Sequence, residues 1–477
     1  MVFSSHLFVF WFLPLVLLVY YGLPRRARHL ALTLLSYLFY GWANPAFTIL
    51  MLVSTLIDYF AGLDIARHGP LDPGDFRTQR RTRRQRIGLI VSVCANLGML
   101  GFFKYFNFGV ESYNGLMTLL GFDAAAWEQT LRVVLPLGIS FYTFQSMSYT
   151  IDVYRGEAKA ISSFVDFACY VSMFPQLVAG PIVRFSEIAD QLRSRTHTLE
   201  KFARGVAMFG LGMAKKVLVA NPCGAVADAA FAAASPAPLD AWFGVVAYAF
   251  QIYFDFSGYS DMAVGLGLML GFMFAKNFDS PYRAGSITDF WRRWHISLST
   301  WLRDYLYLPL GGNRKGVRRT YVNLLLVMVL GGLWHGAAWT FVLWGTFHGL
   351  LLATERAGIG YGRLPRPLKV AATFALVTLG WVLFRARDLA HAVEYYRSLF
   401  GAGEPGPGAP LLGGILYQPY SLLCFAVAAG IVWIMPQAWD WTRRLTWMRA
   451  AVCAGLFLTA LIAMETQGYN PFIYFIF

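Results

Sequence analysis

Apolar stretches recur almost from end to end of this chain, parted by short polar segments. They run from Leu7 to Leu23, Leu30 to Gly41, Phe47 to Leu63, Ile87 to Phe103, Val133 to Ile151, Phe164 to Ile182, Phe202 to Ala220 and Trp242 to Phe274. Beyond these come Tyr321 to Trp334, Ala337 to Ala353, Leu368 to Leu383, Leu411 to Met435 and Val452 to Met464. A helix needs about 20 apolar residues to cross a bilayer. Backbone N–H and C=O groups left unpaired in lipid are so costly that spanning segments of this kind are helical. The pattern therefore predicts an all-α, polytopic membrane protein with on the order of a dozen crossings. Several segments are short or broken by Gly and Pro, which predicts re-entrant pieces around a central cavity.

The polar stretches are brief. Asp64 to Arg86, Arg184 to Lys201, Ala275 to Arg319 and Gly401 to Pro410 read as loops, the last a flexible Gly/Pro-rich connection. No attached soluble catalytic domain is expected, and residues 1–477 read as a single transmembrane domain. Arg25, Arg26 and Arg28 follow the first apolar segment, and Arg77, Arg80, Arg81, Arg83, Arg84 and Arg86 follow the third. Cytoplasmic loops of membrane proteins are rich in Lys and Arg, so both clusters are placed in the cytoplasm, with an even number of spans between them. Met1 to His6 carries no Lys or Arg, and no small-residue cleavage site follows Leu23. The first segment thus reads as a retained span with its N-terminus outside, not as a signal peptide.

Composition agrees with this picture. Of 477 residues, 57% are hydrophobic and only 14% charged, where length alone would suggest about three soluble domains of ~150 residues. The net charge of +14 sits in clusters between spans, so topology accounts for it and no nucleic-acid partner is expected. Cys94, Cys169, Cys223, Cys424 and Cys453 are scattered and lack metal-ligand spacing. They read as apolar packing residues, and no structural metal is expected.

The chemistry concentrates between Asp255 and His348. The run Asp255-Phe256-Ser257-Gly258-Tyr259-Ser260-Asp261 places two carboxylates and several hydroxyls in an apolar setting, where each must find an internal partner or line water. A polar network that pins helices together and a substrate contact explain this run equally well. Gly265, Gly267 and Gly271 lack the dinucleotide-binding spacing and suit close helix packing. Ser286 to Asp289 fits a helix-opening box. Ile287, Phe290, Trp291, Trp294, Leu298, Trp301, Leu302 and Tyr305 then fall at helical spacing, with Arg292, Arg293, Ser299 and Arg303 mainly off the stripe. That pattern predicts one amphipathic helix in the membrane interface, with Trp rings at headgroup level. His295 lies near the boundary of its faces, in reach of Ser299 one turn later. The basic, glycine-containing loop Pro309 to Arg319 suits an anion or ordinary cytoplasmic topology.

His335 stands in a stretch from Val322 to Leu352 that contains no Asp, Glu, Lys or Arg. An ionisable ring at membrane depth is costly unless it faces a cavity or a polar partner, so it marks a functional site. A helix from Tyr321 reaches His335 after roughly 20 Å. Gly331 and Gly332 just before it let another backbone or a substrate approach. Desolvation favours the neutral imidazole, which can take a proton from an attacking alcohol, while Trp334, Trp339 and Trp344 would wall the site against water. The candidate catalytic residues are His335 and His295. Trp334, Trp294, Arg303, Asn313, Asp255, Ser260 and Asp261 are the candidates for substrate contact.

The segments 290–299 (FWRRWHISLS), 301–314 (WLRDYLYLPLGGNR) and 331–339 (GGLWHGAAW) resemble the membrane-bound O-acyltransferase superfamily, and more narrowly its alginate O-acetyltransferase membrane subunits. The segments 103–108, 135–145, 174–184 and 251–262 also match, so the resemblance covers about Gly101 to Glu355. It implies an all-helical fold, a catalytic histidine at His335 and a second characteristic histidine at His295. It also implies a multi-pass protein of the bacterial inner membrane with no bound cofactor. Acetyl-CoA would be the cytoplasmic acyl donor, and the acetyl group would pass toward an extracytoplasmic polysaccharide. A separate periplasmic O-acetyltransferase and a polysaccharide export complex are the implied partners, besides membrane lipid.

Members of the superfamily differ in donor and acceptor, so a carrier-protein donor for another envelope polymer stays open, as does whether His335 acts as general base or nucleophile. A proton-coupled transporter using His335, Asp255 and Asp261 is the rival class. No internal repeat joins the halves of the chain in the way many such transporters show.

Overall fold

The computed structural model describes residues 1–42, 44–68, 81–122, 127 and 132–471. Arg77 and Arg80 of the second basic cluster lie outside the described residues. Every regular element among the described residues is helical. The chain resolves into two compact units, Met1–His197 with Leu270–Phe274, and Thr198–Met269 with Ala275–Phe477.

The first unit holds α1 (Leu13–Gly22), α2 (Arg28–Gly41), α3 (Ala46–Arg67), α4 (Arg83–Leu119), α5 (Ile139–Arg155), α6 (Phe164–Ser172), α7 (Phe174–Leu177) and α8 (Phe185–Arg193). Helix α5 is buried on nearly every face although it carries Ser140, Thr143, Gln145, Ser146, Ser148 and Thr150. A polar network accommodates part of this cargo. Ser92 donates to Asp58 at 2.5 Å, and the Asn96 amide donates to both carboxylate oxygens of Asp58, at 2.9 and 2.8 Å. Ser92 also meets Thr150 at 2.8 Å, tying α3, α4 and α5 together. Polar links of this kind join helices where lipid offers no hydrophobic drive for association. Phe164 to Ile182 does not form one crossing: α6 stops at Ser172, and Pro175, which cannot continue a helix from within, opens the single turn α7.

The second unit holds α9 (Leu199–Ala214), α10 (Asn221–Ala232), α11 (Pro238–Met269), α12 (Ile287–Arg293), α13 (Ile296–Leu302), α14 (Val317–His335), α15 (Trp339–Arg356), α16 (Arg366–Arg385), α17 (Leu389–Leu399), α18 (Ala409–Leu416), α19 (Pro419–Trp433), α20 (Ala438–Trp441) and α21 (Trp447–Thr466). Its frame is the crossing of α9 and α11, where glycines oppose glycines. A Cβ on Gly212 would stand 2.4 Å from the Gly258 carbonyl oxygen, and one on Gly205 would stand 2.6 Å from that of Gly265. Gly265 thus serves close helix packing, as its spacing suggests. Beyond Ala214 the chain makes a π-helical turn, Lys215–Ala220. It delivers Lys215 to Asp261 at 2.6 Å and Lys216 to Asp255 at 2.8 Å. A buried charge tolerates removal from water only when paired, so the two lysines account for the carboxylates of the 255–261 run.

Among the described residues four helices, α3, α4, α16 and α21, are each long and apolar enough to cross a membrane, and α18 with α19, bent by 65°, form a fifth span or a re-entrant loop. Helices such as α5 and α11 bury polar side chains against protein, which lowers their hydropathy below that of a lipid-facing span. Among the short helices outside the predicted apolar segments, α8 and α17 have high polar content, and α10 follows directly on the π-helical turn.

Gly212→Ala forces α9 from α11 and should cost about 1–3 kcal/mol of stability by overpacking. A thermal melt in detergent should show a lowered midpoint. Gly455→Ala in α21, where a Cβ meets nothing within 4 Å, should leave the midpoint in place or raise it.

Candidate active site

The stretch 290–305 is not one helix. Ser286 caps α12 by accepting the Asp289 N–H at 3.1 Å, so the predicted helix opening is where the sequence places it. Glu355 Oε2 accepts the next free donors, the N–H groups of Ile287 at 2.8 Å and Thr288 at 3.2 Å. Helix α12 then ends at Arg293, Trp294 is extended, and His295 takes a left-handed φ of +43° before α13 begins. A non-glycine residue in that region is strained and persists where its surroundings hold it.

The hold comes from Asn277. Its backbone carbonyl accepts the Ile296 N–H at 2.9 Å. Its side-chain Oδ1 accepts the Ser297 N–H at 3.1 Å and the Ser297 hydroxyl at 2.9 Å, and lies 3.2 Å from His295 Nδ1. A backbone N–H can only donate, which fixes the oxygen of the Asn277 amide on this side. An amide oxygen can only accept, so His295 Nδ1 carries the proton. The neutral ring therefore presents a bare lone pair at Nε2, which has no hydrogen-bond partner among the described residues. His295 lies between spans and is fully buried; that burial, and next the charge of His335, hold its imidazolium form well below the ordinary histidine range.

His335 is the last residue of α14. The α14–α15 hairpin closes tightly before it: a Cβ on Gly332 would stand 2.2 Å from the Phe341 carbonyl oxygen, so the close backbone approach expected at Gly331-Gly332 occurs at Gly332. The His335 and His295 rings are 6.3 Å apart between centroids. Trp334 lies 5.0 Å from His335 and 5.8 Å from His295. Trp344 and Phe384 each lie 5.3 Å from His335, and Phe256 lies 4.6 Å from His295. Two imidazoles thus share an aromatic enclosure that excludes water and strengthens any hydrogen bond formed inside.

Several expected positions move. Trp294 does not sit at headgroup level; its ring is buried, 5.1 Å from both Phe278 and Trp381. Ser299 does not receive His295 but donates to the Trp294 carbonyl at 3.3 Å. Trp339 is 54% exposed, whereas Trp344 is buried with its ring 5.3 Å from that of His335. Arg303 is paired with its neighbour Asp304 at 2.6 Å, and Asn313 is exposed in a loop secured by Asn323 donating to the Gly312 carbonyl. The structure brings His295, His335 and Trp334 together; Asp255 and Asp261 engage lysines, and Ser260 is buried on the same helix. Asn277, Phe256 and Phe384 escaped the sequence reading. Lys215 and Lys216, two cations at the end of an apolar stretch, carried a signal as partners for buried acids.

The MBOAT, membrane-bound O-acyltransferase, family pattern matches residues 154–377, which include both histidines and Asn277. The probable alginate O-acetylase AlgI of Pseudomonas putida is 45% identical over the whole of both chains. That of Pseudomonas aeruginosa is 50% identical over 84% of this chain and 75% of its own. The peptidoglycan O-acetyltransferase of Helicobacter pylori is 37% identical over 84% of this chain and 80% of its own.

Asn277→Ala removes the acceptor of Ser297 and His295 and leaves buried donors unpaired, which costs about 1–3 kcal/mol. The melting midpoint should fall, and turnover should drop by about tenfold or more as the His295 tautomer is released. Equal turnover in wild type and variant would show that Asn277 does not set the tautomer.

Proposed function

The chain belongs to the membrane-bound O-acyltransferase family and is an acyltransferase, and from that premise we propose that it moves an acetyl group from cytoplasmic acetyl-CoA across the bacterial inner membrane to O-acetylate a secreted, alginate-like polysaccharide. The observation that carries the reading is the His295–His335 pair, 6.3 Å apart in a buried aromatic enclosure inside the family match. In this reading on the order of a dozen crossings surround a cavity reached from both faces. A separate periplasmic acetyltransferase and an export complex receive the product.

The chemistry needs one base. His335 takes the proton of the acceptor hydroxyl as its oxygen attacks the thioester carbonyl. The C–S bond breaks, the C–O bond forms, and the imidazolium returns its proton to the thiolate, so no net proton is released. His295 Nε2 supplies a lone pair to the enclosure, available to accept a hydrogen bond from the imidazolium as it forms. The names of the relatives include both alginate and peptidoglycan as polymers, so acceptors of both kinds belong in the assay.

Purified protein in liposomes with radiolabelled acetyl-CoA should consume donor and pass label to an acceptor. His335→Ala should abolish turnover while the protein still inserts and accumulates; His295→Ala should lose part or all of it. Normal acetylation by His335→Ala would remove His335 from the chemistry. Wild type that turns over only with an acylated carrier protein would replace acetyl-CoA as donor.

A further inference from the structure

Away from the histidines, the second unit holds a cavity of about 530 Å3 between α16 and α19. Its wall is apolar: Val370, Ala371 and Phe374 share one face of α16, and Trp433 is the last residue of α19. The Phe374 and Trp433 rings meet edge to face at 5.3 Å, which joins the two helices. Two cations complete the lining, Arg366, the first residue of α16, and Arg283.

The end of α19 holds Arg283. Its Nε donates to the Val432 carbonyl at 2.7 Å and its Nη2 to the Met435 carbonyl at 2.6 Å. A guanidinium carries more N–H donors than these two bonds use. No carboxylate pairs with Arg283 or Arg366 among the described residues. Guanidinium groups match the oxygens of a phosphate, and the apolar wall matches hydrocarbon. The ligand that combines the two is an amphiphile with an anionic head.

The charges of the flanking segments give the side of the membrane. Arg356, Arg363 and Arg366 lie where α15 passes into α16, and Arg443, Arg444 and Arg449 follow α19. Clusters of this kind belong at the cytoplasmic face, where basic pockets between helices take anionic lipid headgroups. Trp433, 39% exposed, suits the headgroup level.

We propose that the cavity between α16 and α19 binds one anionic phospholipid, its phosphate on Arg283 and Arg366 and an acyl chain along Val370, Ala371 and Phe374. The assignment needs only the membrane location and is independent of the acyl donor and acceptor. Tyr282, next to Arg283, lies 5.0 Å from Phe374 and donates to the Ala249 carbonyl of α11 at 2.7 Å. The lipid would therefore clamp α16 and α19 to the turn that leads into α12.

Native mass spectrometry of the full chain in detergent, with equal amounts of phosphatidylglycerol and phosphatidylcholine of matched chains, tests the site. Wild type should retain phosphatidylglycerol about tenfold over phosphatidylcholine, and Arg366→Gln should bring that ratio close to one. Ala371→Trp, at an exposed position, fills the groove and should lose the retained lipid. Phosphatidylglycerol should also raise the melting midpoint of wild type more than that of Arg366→Gln. Arg363→Gln, a basic position outside the cavity, should behave as wild type; an equal loss there would mean diffuse surface charge and overturn the site. Equal retention of both lipids by wild type, or an unchanged ratio in Arg366→Gln, would also overturn it. A dimer that Ala371→Trp breaks, with no lipid retained, would make the cavity an interface between copies of this chain instead.

Discussion

Asn277 Oδ1 gathers the N–H and hydroxyl of Ser297 and the Nδ1–H of His295, and the geometry of the candidate site depends on that one acceptor. Without it nothing favours a left-handed residue between two short helices, and the run from Ile287 to Tyr307 would continue as a single helix on its apolar stripe. The break turns His295 into the protein and fixes its tautomer. It also buries Trp294, whose ring would otherwise face the interface.

The second histidine arrives by a different route. Gly332 and Gly345 let the backbones of α14 and α15 approach to contact, and His335 ends α14 where that hairpin closes. Trp344 then packs on His335 from across the hairpin, and Phe384 of α16 completes the wall. Buried ion pairs stabilise the neighbouring frame, Lys216 with Asp255 and Lys215 with Asp261, and the glycine crossing of α9 and α11 sets the distance between those elements. Phe256, next to Asp255 on α11, reaches the ring of His295 at 4.6 Å, which couples the frame to the site.

What could be read from the sequence follows from how local each feature is. An apolar segment dictates a helix by itself, so α3, α4, α16 and α21 lie where the hydropathy places them. The Ser286 cap lies within four residues, Ser286 to Asp289, and was equally visible. His335 stood out because an ionisable group in an apolar run has few structural excuses. The break at His295 was invisible: its cause, Asn277, is an ordinary polar residue in a loop, and the stripe across the break keeps helical spacing on both sides. The roles of Asp255 and Asp261 depended on Lys215 and Lys216 coming across from another helix, a contact that spacing along one helix does not reveal. Trp339 and Trp344 looked alike in sequence, and only the turn of α15 puts one outside and the other against His335.

The central claim is that His295 and His335 work as one unit in a shared enclosure. A kinetic double-mutant cycle on label transfer from acetyl-CoA, using wild type, His295→Gln, His335→Gln and the double variant, tests it most directly. The account predicts strong coupling, with the double variant no slower than His335→Gln alone. Rate losses that multiply across the two sites would mean that the histidines act independently and would contradict it.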